Sequence, residues 1–125
     1  MNLKMKVLIV DDFATMRRIV RNVLKQIGFT NMIEADNGKN ALKVLKKENI
    51  DLILCDWNMP EMPGIDLLKA IKSDDELKNI PFVMVTAEAQ KENIIEAVKA
   101  GVSSYIVKPF TAETVTEKLN TIFKD

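Results

Sequence analysis

Five short apolar runs divide the chain: Met5–Val10, Asn31–Ala35, Asp51–Cys55, Phe82–Thr86 and Ser104–Val107. Three hold near-continuous hydrophobic stretches, Val7-Leu8-Ile9-Val10, Leu52-Ile53-Leu54 and Phe82-Val83-Met84-Val85. A strand with one wet face alternates; unbroken runs suit parallel strands covered on both faces. Between the runs the pattern changes to a helical period. Met16, Val20, Val23, Leu24 and Ile27 recur at helical spacing, and Gly28 stands where that helix would stop. Asn37 is placed to cap a second helix carrying Ala41, Leu42 and Leu45. A third runs over 65–71 with Leu67 and Leu68, and a fourth carries Ile94, Ile95 and Val98 up to Gly101. Thr111 is placed to cap a fifth, with Val115, Leu119, Ile122 and Phe123 as its apolar stripe.

The order is strand then helix, five times over. Right-handed crossovers then put helices on both faces of a parallel sheet. The expectation is a doubly wound α/β fold, a five-stranded parallel sheet with five helices. At 125 residues the chain fits a single domain, 1–125, with no output domain. A chain of this length buries enough surface to fold without a disulfide or structural metal.

Composition narrows the chemistry. Lys+Arg and Asp+Glu are equal at 18 each, so no global charge draws the chain to nucleic acid or an acidic membrane. One cysteine and no histidine exclude an internal disulfide and a Cys/His zinc site. Cys55, inside an apolar run, reads as a small buried hydrophobe rather than a reactive thiol. No segment approaches the ~18 apolar residues of a membrane span, and no signal-peptide core stands at the N-terminus. A cytoplasmic, monomeric protein is expected.

Polar residues appear abruptly where the strands end. Asp11 and Asp12 follow the first, Asp56 the third, Thr86 ends the fourth and Lys108 follows the fifth. Ligands of open α/β sheets bind beyond the carboxyl ends of the strands. If the strand order is the 2-1-3-4-5 of flavodoxin-like sheets (an order taken over from that fold, not read from these residues), strands one and three are neighbours. Asp11, Asp12 and Asp56 then converge. Each close carboxylate pair costs on the order of 4 kcal/mol at ~4 Å and an effective dielectric near ~20. A hard divalent cation such as Mg²⁺, keeping several waters and a phosphate oxygen, offsets that repulsion. Lys108 and Thr86 can serve further phosphate oxygens. No glycine-rich phosphate loop is present, so nucleotide is not the expected ligand. The cleft reads as one built for a single phosphoryl group, with a carboxylate as its acceptor. Taken singly, each residue has a plainer reading: Asp11 or Asp12 as a helix cap, Lys108-Pro109 as a turn, Thr86 as a strand end. All five at successive strand ends are harder to explain that way.

Over essentially its whole length the sequence resembles the receiver domains of bacterial response regulators, and the chemotaxis type in particular. The matching blocks are Asp11-Asp12-Phe13, the run from Thr15 to Asn22, Asp56-Trp57-Asn58-Met59-Pro60, Val85-Thr86-Ala87-Glu88-Ala89, and Tyr105 ahead of Lys108-Pro109-Phe110-Thr111. The resemblance implies phosphorylation on Asp56. It implies Mg²⁺ held by Asp12 and Asp56, by Asp11 largely through water, and by the backbone carbonyl of Asn58. Lys108 and Thr86 would be the catalytic pair, with Thr86 and Tyr105 as switch residues. Asn58 and Glu88 would tune the lifetime of the phosphoryl group, and Lys91 and Lys118 would rim the output surface. It further implies a histidine-kinase donor (CheA), a flagellar motor switch target (FliM), room for a phosphatase partner, and a cis Lys108–Pro109 bond. Pro63 departs from the pattern, since many receivers carry aspartate there; it stiffens the loop after Asp56.

Two rivals keep the same residues. A phosphohydrolase of the haloacid dehalogenase type would want Asp-x-Asp after its first strand, where this chain has adjacent aspartates. A phosphorelay intermediate would pass its phosphoryl group back to a histidine protein. The Arg17, Arg18, Arg21 and Lys25 cluster reads as a solvated helix face, with a docking face as the alternative.

Overall fold

The computed structural model describes residues 1–87 and 91–123, with Lys91 described by its backbone alone. Strands β1 (Lys6–Val10), β2 (Asn31–Ala35), β3 (Leu52–Asp56), β4 (Phe82–Thr86) and β5 (Ser104–Val107) alternate with helices α1 (Ala14–Ile27), α2 (Gly38–Lys47), α3 (Gly64–Lys72), α4 (Lys91–Lys99) and α5 (Ala112–Ile122). The sheet is parallel, in the order β2-β1-β3-β4-β5.

The continuous apolar runs are explained by burial on both faces. Every residue of β3 and β4 is buried, and β1 is buried from Val7 onward. On one face Leu8, Val10, Ile53, Cys55, Phe82 and Met84 pack against Ala41 and Leu45 of α2, Leu67, Leu68 and Ile71 of α3, and Ala97 of α4. On the other, Val7, Ile9, Leu52, Leu54, Val83, Val85 and Ile106 pack against Val20 and Leu24 of α1 and Val115 and Leu119 of α5. Cys55 is fully buried, and burial pushes its thiol well above its ordinary range, with help from the nearby Asp56 and Asp11 carboxylates. It is a packing residue.

Local signals act where the sequence places them. The Asn37 side chain accepts the Asn40 amide at 2.7 Å, and that of Thr111 accepts the Thr114 amide. Gly28 ends α1 at φ 122°, a region open to glycine alone at little cost.

Two expectations need correction. Only part of the apolar pattern of α4 faces inward: Ala97 is buried and Ile94 half-buried, whereas Ile95 and Val98 are exposed. The reason is that α4 turns Ile94 and Ala97 toward Met84 of β4 and Tyr105 of β5, which leaves Ile95 and Val98 outside. Asp56 does not follow β3 but is its last residue, hydrogen-bonded into the sheet as a partner of Val85.

The loop after β3 holds Glu61 at φ 68°, the left-handed region that L side chains other than Asn and Asp rarely adopt. Glu61→Asn therefore raises stability by about 0.5–1 kcal/mol, read as a higher urea midpoint with unchanged slope. A lower midpoint would show that the Glu61 side chain contributes more than its backbone costs.

Candidate functional site

The carboxyl ends of β1 and β3 are adjacent strand ends, with Val10 paired to Cys55. That pairing brings the next residues, Asp11 and Asp56, side by side. Carboxylate oxygens of Asp11, Asp12 and Asp56 all lie within 4.8 Å of one another. Asp11 and Asp56 are buried and Asp12 is exposed. Lys108 follows β5 and reaches across β4 to them. Its Nζ stands 3.0 Å from Asp56 Oδ1 and 3.6 Å from Asp11 Oδ2. The Lys108–Pro109 bond is cis.

The polar atoms of Asp11 are fully engaged. Its amide donates to the Ala35 carbonyl of β2, and its Oδ1 accepts the Phe13 amide at 2.9 Å. Its carbonyl accepts from Arg17 Nη1 at 2.8 Å. The capping reading of Asp11 and Asp12 fails in its strict form. Phe13 is the residue before α1, and no side chain caps that helix. Burial raises the Asp11 carboxyl above its ordinary 3.8, and the neighbouring Asp56 and Asp12 charges add to this; the Phe13 amide and Lys108 pull the other way and do not prevail.

Thr86 is buried at the end of β4, where it pairs with Val107. Tyr105 pairs with Met84, two residues earlier on the same strand, so Thr86 and Tyr105 share one face of the sheet. A small cavity lies between them, lined by Trp57, Met84, Thr86, Ile94, Ala97 and Tyr105. Tyr105 is half-buried, and Lys118 Nζ sits 4.7 Å from its ring centroid. Asn58 is exposed just beyond Asp56. Glu88 lies outside the described residues, as does the side chain of Lys91.

Two contributors escaped the sequence reading. A Cβ on Gly64 would meet the Asp56 carbonyl oxygen, and the Met84 sulfur at 2.9 Å. Only glycine lets α3 start this close to the end of β3, and its amide donates to the Trp57 carbonyl at 2.8 Å. Pro63, the residue before α3, needs no donor there. The other is Glu34. Arg17 and Arg21, read as solvated, are both ion-paired to it at 3.0 and 2.7 Å. An isolated glutamate in a strand gave no signal, since its partners lie one helix earlier in the chain.

The donor set fits a hard cation. Oxygen ligands only, three of them carboxylates with one already strained toward protonation, match what Mg²⁺ takes from a protein.

The model of the response regulator receiver domain matches residues 7–120. The chain belongs to the response-regulator receiver family. It is 60% identical over 124 residues to chemotaxis protein CheY-3 of Vibrio cholerae, covering 99% of this chain and 95% of that one. It is 57% identical over 120 residues to chemotaxis protein CheY of Pseudomonas aeruginosa, covering 96% and 97%. Among solved structures, CheY4 of Vibrio cholerae superposes with a TM-score of 0.88 at 33% identity, over 96% of this chain and 99% of that one. As a receiver it is a CheY-like phosphoacceptor switch, and receivers characteristically use Mg²⁺. Among the described residues, no helix is long and apolar enough to cross a membrane.

The raised Asp11 carboxyl has a definite sign in stability. The folded protein holds the proton more tightly than the unfolded chain. Ionised Asp11 therefore subtracts from stability at neutral pH, and the penalty fades as pH falls toward 3.8. Asp11→Asn is more stable than the wild type in metal-free buffer at neutral pH, and the gain shrinks at pH near ~4. Urea titrations in chelator at the two pH values measure this. Equal or lower stability of the variant at neutral pH contradicts it.

Proposed function

We propose that this chain is a chemotaxis response regulator, phosphorylated on Asp56 by a CheA-like histidine kinase and read by a FliM-like flagellar motor switch protein. It would act as a lone receiver in the cytoplasm. The observation that carries the reading is Lys108 Nζ bridging Asp56 and Asp11 at the mouth of the three-carboxylate cluster. An Asp56 oxygen attacks the phosphorus of a phosphohistidine. The new O–P bond forms as the N–P bond breaks, and the imidazole nitrogen keeps the electron pair. Asp11, Asp12, Asp56 and the Asn58 carbonyl would hold Mg²⁺, which supplies charge neutralisation for the phosphoryl oxygens. Lys108 would leave its carboxylate contacts for one phosphoryl oxygen, and the Thr86 hydroxyl would take another. Asn58 and Glu88 would tune how long the group lasts.

Output is read through packing. As Thr86 turns toward the phosphoryl group, the cavity beside it enlarges on the Tyr105 side, and the ring moves inward. The exposed Ile95, Val98 and Val107 would then form one apolar surface with α5, with Lys91 and Lys118 as its candidate rim charges. An amphipathic segment of the motor switch protein suits it. One or two charge-assisted hydrogen bonds, each about 1.5–3 kcal/mol, suffice to bias two packings that differ by a few kcal/mol.

Acetyl phosphate with Mg²⁺ labels the wild type and not Asp56→Asn. Equal labelling of the variant would move the acceptor elsewhere. Thr86→Ala still accepts phosphate but loses most of the gain in affinity for a motor-switch peptide that beryllofluoride confers on the wild type. A full gain in Thr86→Ala, measured by fluorescence anisotropy of the peptide, removes Thr86 from the switch.

A further inference from the structure

Arg17 makes two contacts at once from the first turn of α1. Its Nη1 donates to the Asp11 carbonyl at 2.8 Å, and its Nε to Glu34 Oε1 at 3.0 Å. Glu34 stands on β2, paired with Ile9 of β1, and its second oxygen takes Arg21 Nε at 2.7 Å. Arg21 completes the set with a 3.4 Å contact to the Met32 carbonyl, and among the described residues its hydrogen bonds go to Glu34 and Met32 rather than to the acidic loop. The guanidiniums hold the Glu34 carboxyl below its ordinary range although burial opposes them.

We propose that Arg17, oriented by Glu34, is a positioning residue for the cation cradle: it fixes the Asp11 carbonyl and so the course of the chain that carries the Asp11 and Asp12 carboxylates. The inference rests on the reading that these carboxylates hold Mg²⁺. At Asp11 the chain leaves the sheet. Its amide is still bonded to β2, but its carbonyl has left the strand ladder and is tied to Arg17. A rigid planar fork can bind a carboxylate and a carbonyl at fixed mutual angles, which a lysine cannot. Such supporting contacts are what keep ligand atoms from drifting.

The proposal makes a prediction opposite in sign to simple electrostatics. Arg17 is a cation near a dication site. By charge alone its removal tightens Mg²⁺ binding, the more so because Glu34 loses a partner. If Arg17 positions the loop, its removal weakens binding. Trp57, the sole tryptophan, adjoins Asp56 and reports a Mg²⁺ titration. Arg17→Gln weakens Mg²⁺ roughly tenfold and speeds amide exchange at Asp12 and Phe13 in the metal-free protein. Arg21→Gln loses a comparable ion pair and leaves both readouts near wild type. Glu34→Ala weakens binding in the wild-type background and adds little to Arg17→Gln, because it acts through the same guanidinium. If Arg17→Gln does not fold, Arg17→Lys carries the test: charge is kept, so electrostatics predicts no change and positioning predicts weaker binding. Affinity equal to or tighter than wild type in the folded Arg17 variant overturns the proposal. Asp12→Asn separates the two levels. A wild-type response lost in Asp12→Asn but intact in Arg17→Gln sinks the positioning role alone; a wild type blind to Mg²⁺ sinks the metal reading and the proposal with it.

Discussion

Parallel pairing of β1 with β3 forces like charges together. Val10 sits opposite Cys55, so the chain cannot continue without setting Asp11 beside Asp56. The two strands are buried from Val7 to Val10 and from Leu52 to Asp56, and a one-residue slip would turn their apolar side chains to the wrong helices. Register is thus fixed by the core, and the core's rigidity is what holds the carboxylates against their repulsion. Losing a single buried aliphatic such as Ile53 to alanine costs about 2–5 kcal/mol. That is comparable with the electrostatic load at the strand ends, so the sheet can carry it.

The load has a use. Lys108, just after β5, partly offsets it through its two contacts, at 3.0 and 3.6 Å. Burial of Asp11 keeps the cluster from being relaxed by water. Gly64 allows α3 to close over the end of β3, and Arg17 ties down the carbonyl where β1 ends. Like charges crowd the site at rest, and under the proposed function a cation and a phosphoryl group would relieve that together. The Thr86–Tyr105 face, with its small cavity, lies one strand away, on β4 and β5.

Much of this was legible in the chain. The unbroken apolar runs marked β1, β3 and β4 because strands buried on both faces leave no polar alternation. Asn37 and Thr111 marked the starts of α2 and α5 because a side-chain oxygen there satisfies a free amide. The acidic pair, Asp56, Thr86 and Lys108 stood out as polar residues abruptly following apolar ones. What stayed hidden depended on contacts between distant segments. Ile95 and Val98 have helical spacing, yet nothing in that spacing says that α4 presents them to solvent while Ala97 faces the sheet. Arg17 and Arg21 looked like a solvated face because Glu34 lies beyond α1 and only the β1–β2 pairing delivers it. Gly64 gave no warning because its role is a distance between α3 and the Asp56 carbonyl.

The central claim is that the acidic cluster and Lys108 form one site, in which cation and phosphoryl group are held jointly. Linkage tests this directly, since two ligands of one site must alter each other's affinity by the same factor. The measurement is a Mg²⁺ titration of Trp57 emission with and without beryllofluoride, with the reciprocal beryllofluoride titration at fixed Mg²⁺. The account predicts that each tightens the other by an equal factor, and that beryllofluoride without a divalent cation leaves the emission unchanged. Independent binding of the two, or beryllofluoride binding at full strength in chelator, would contradict it.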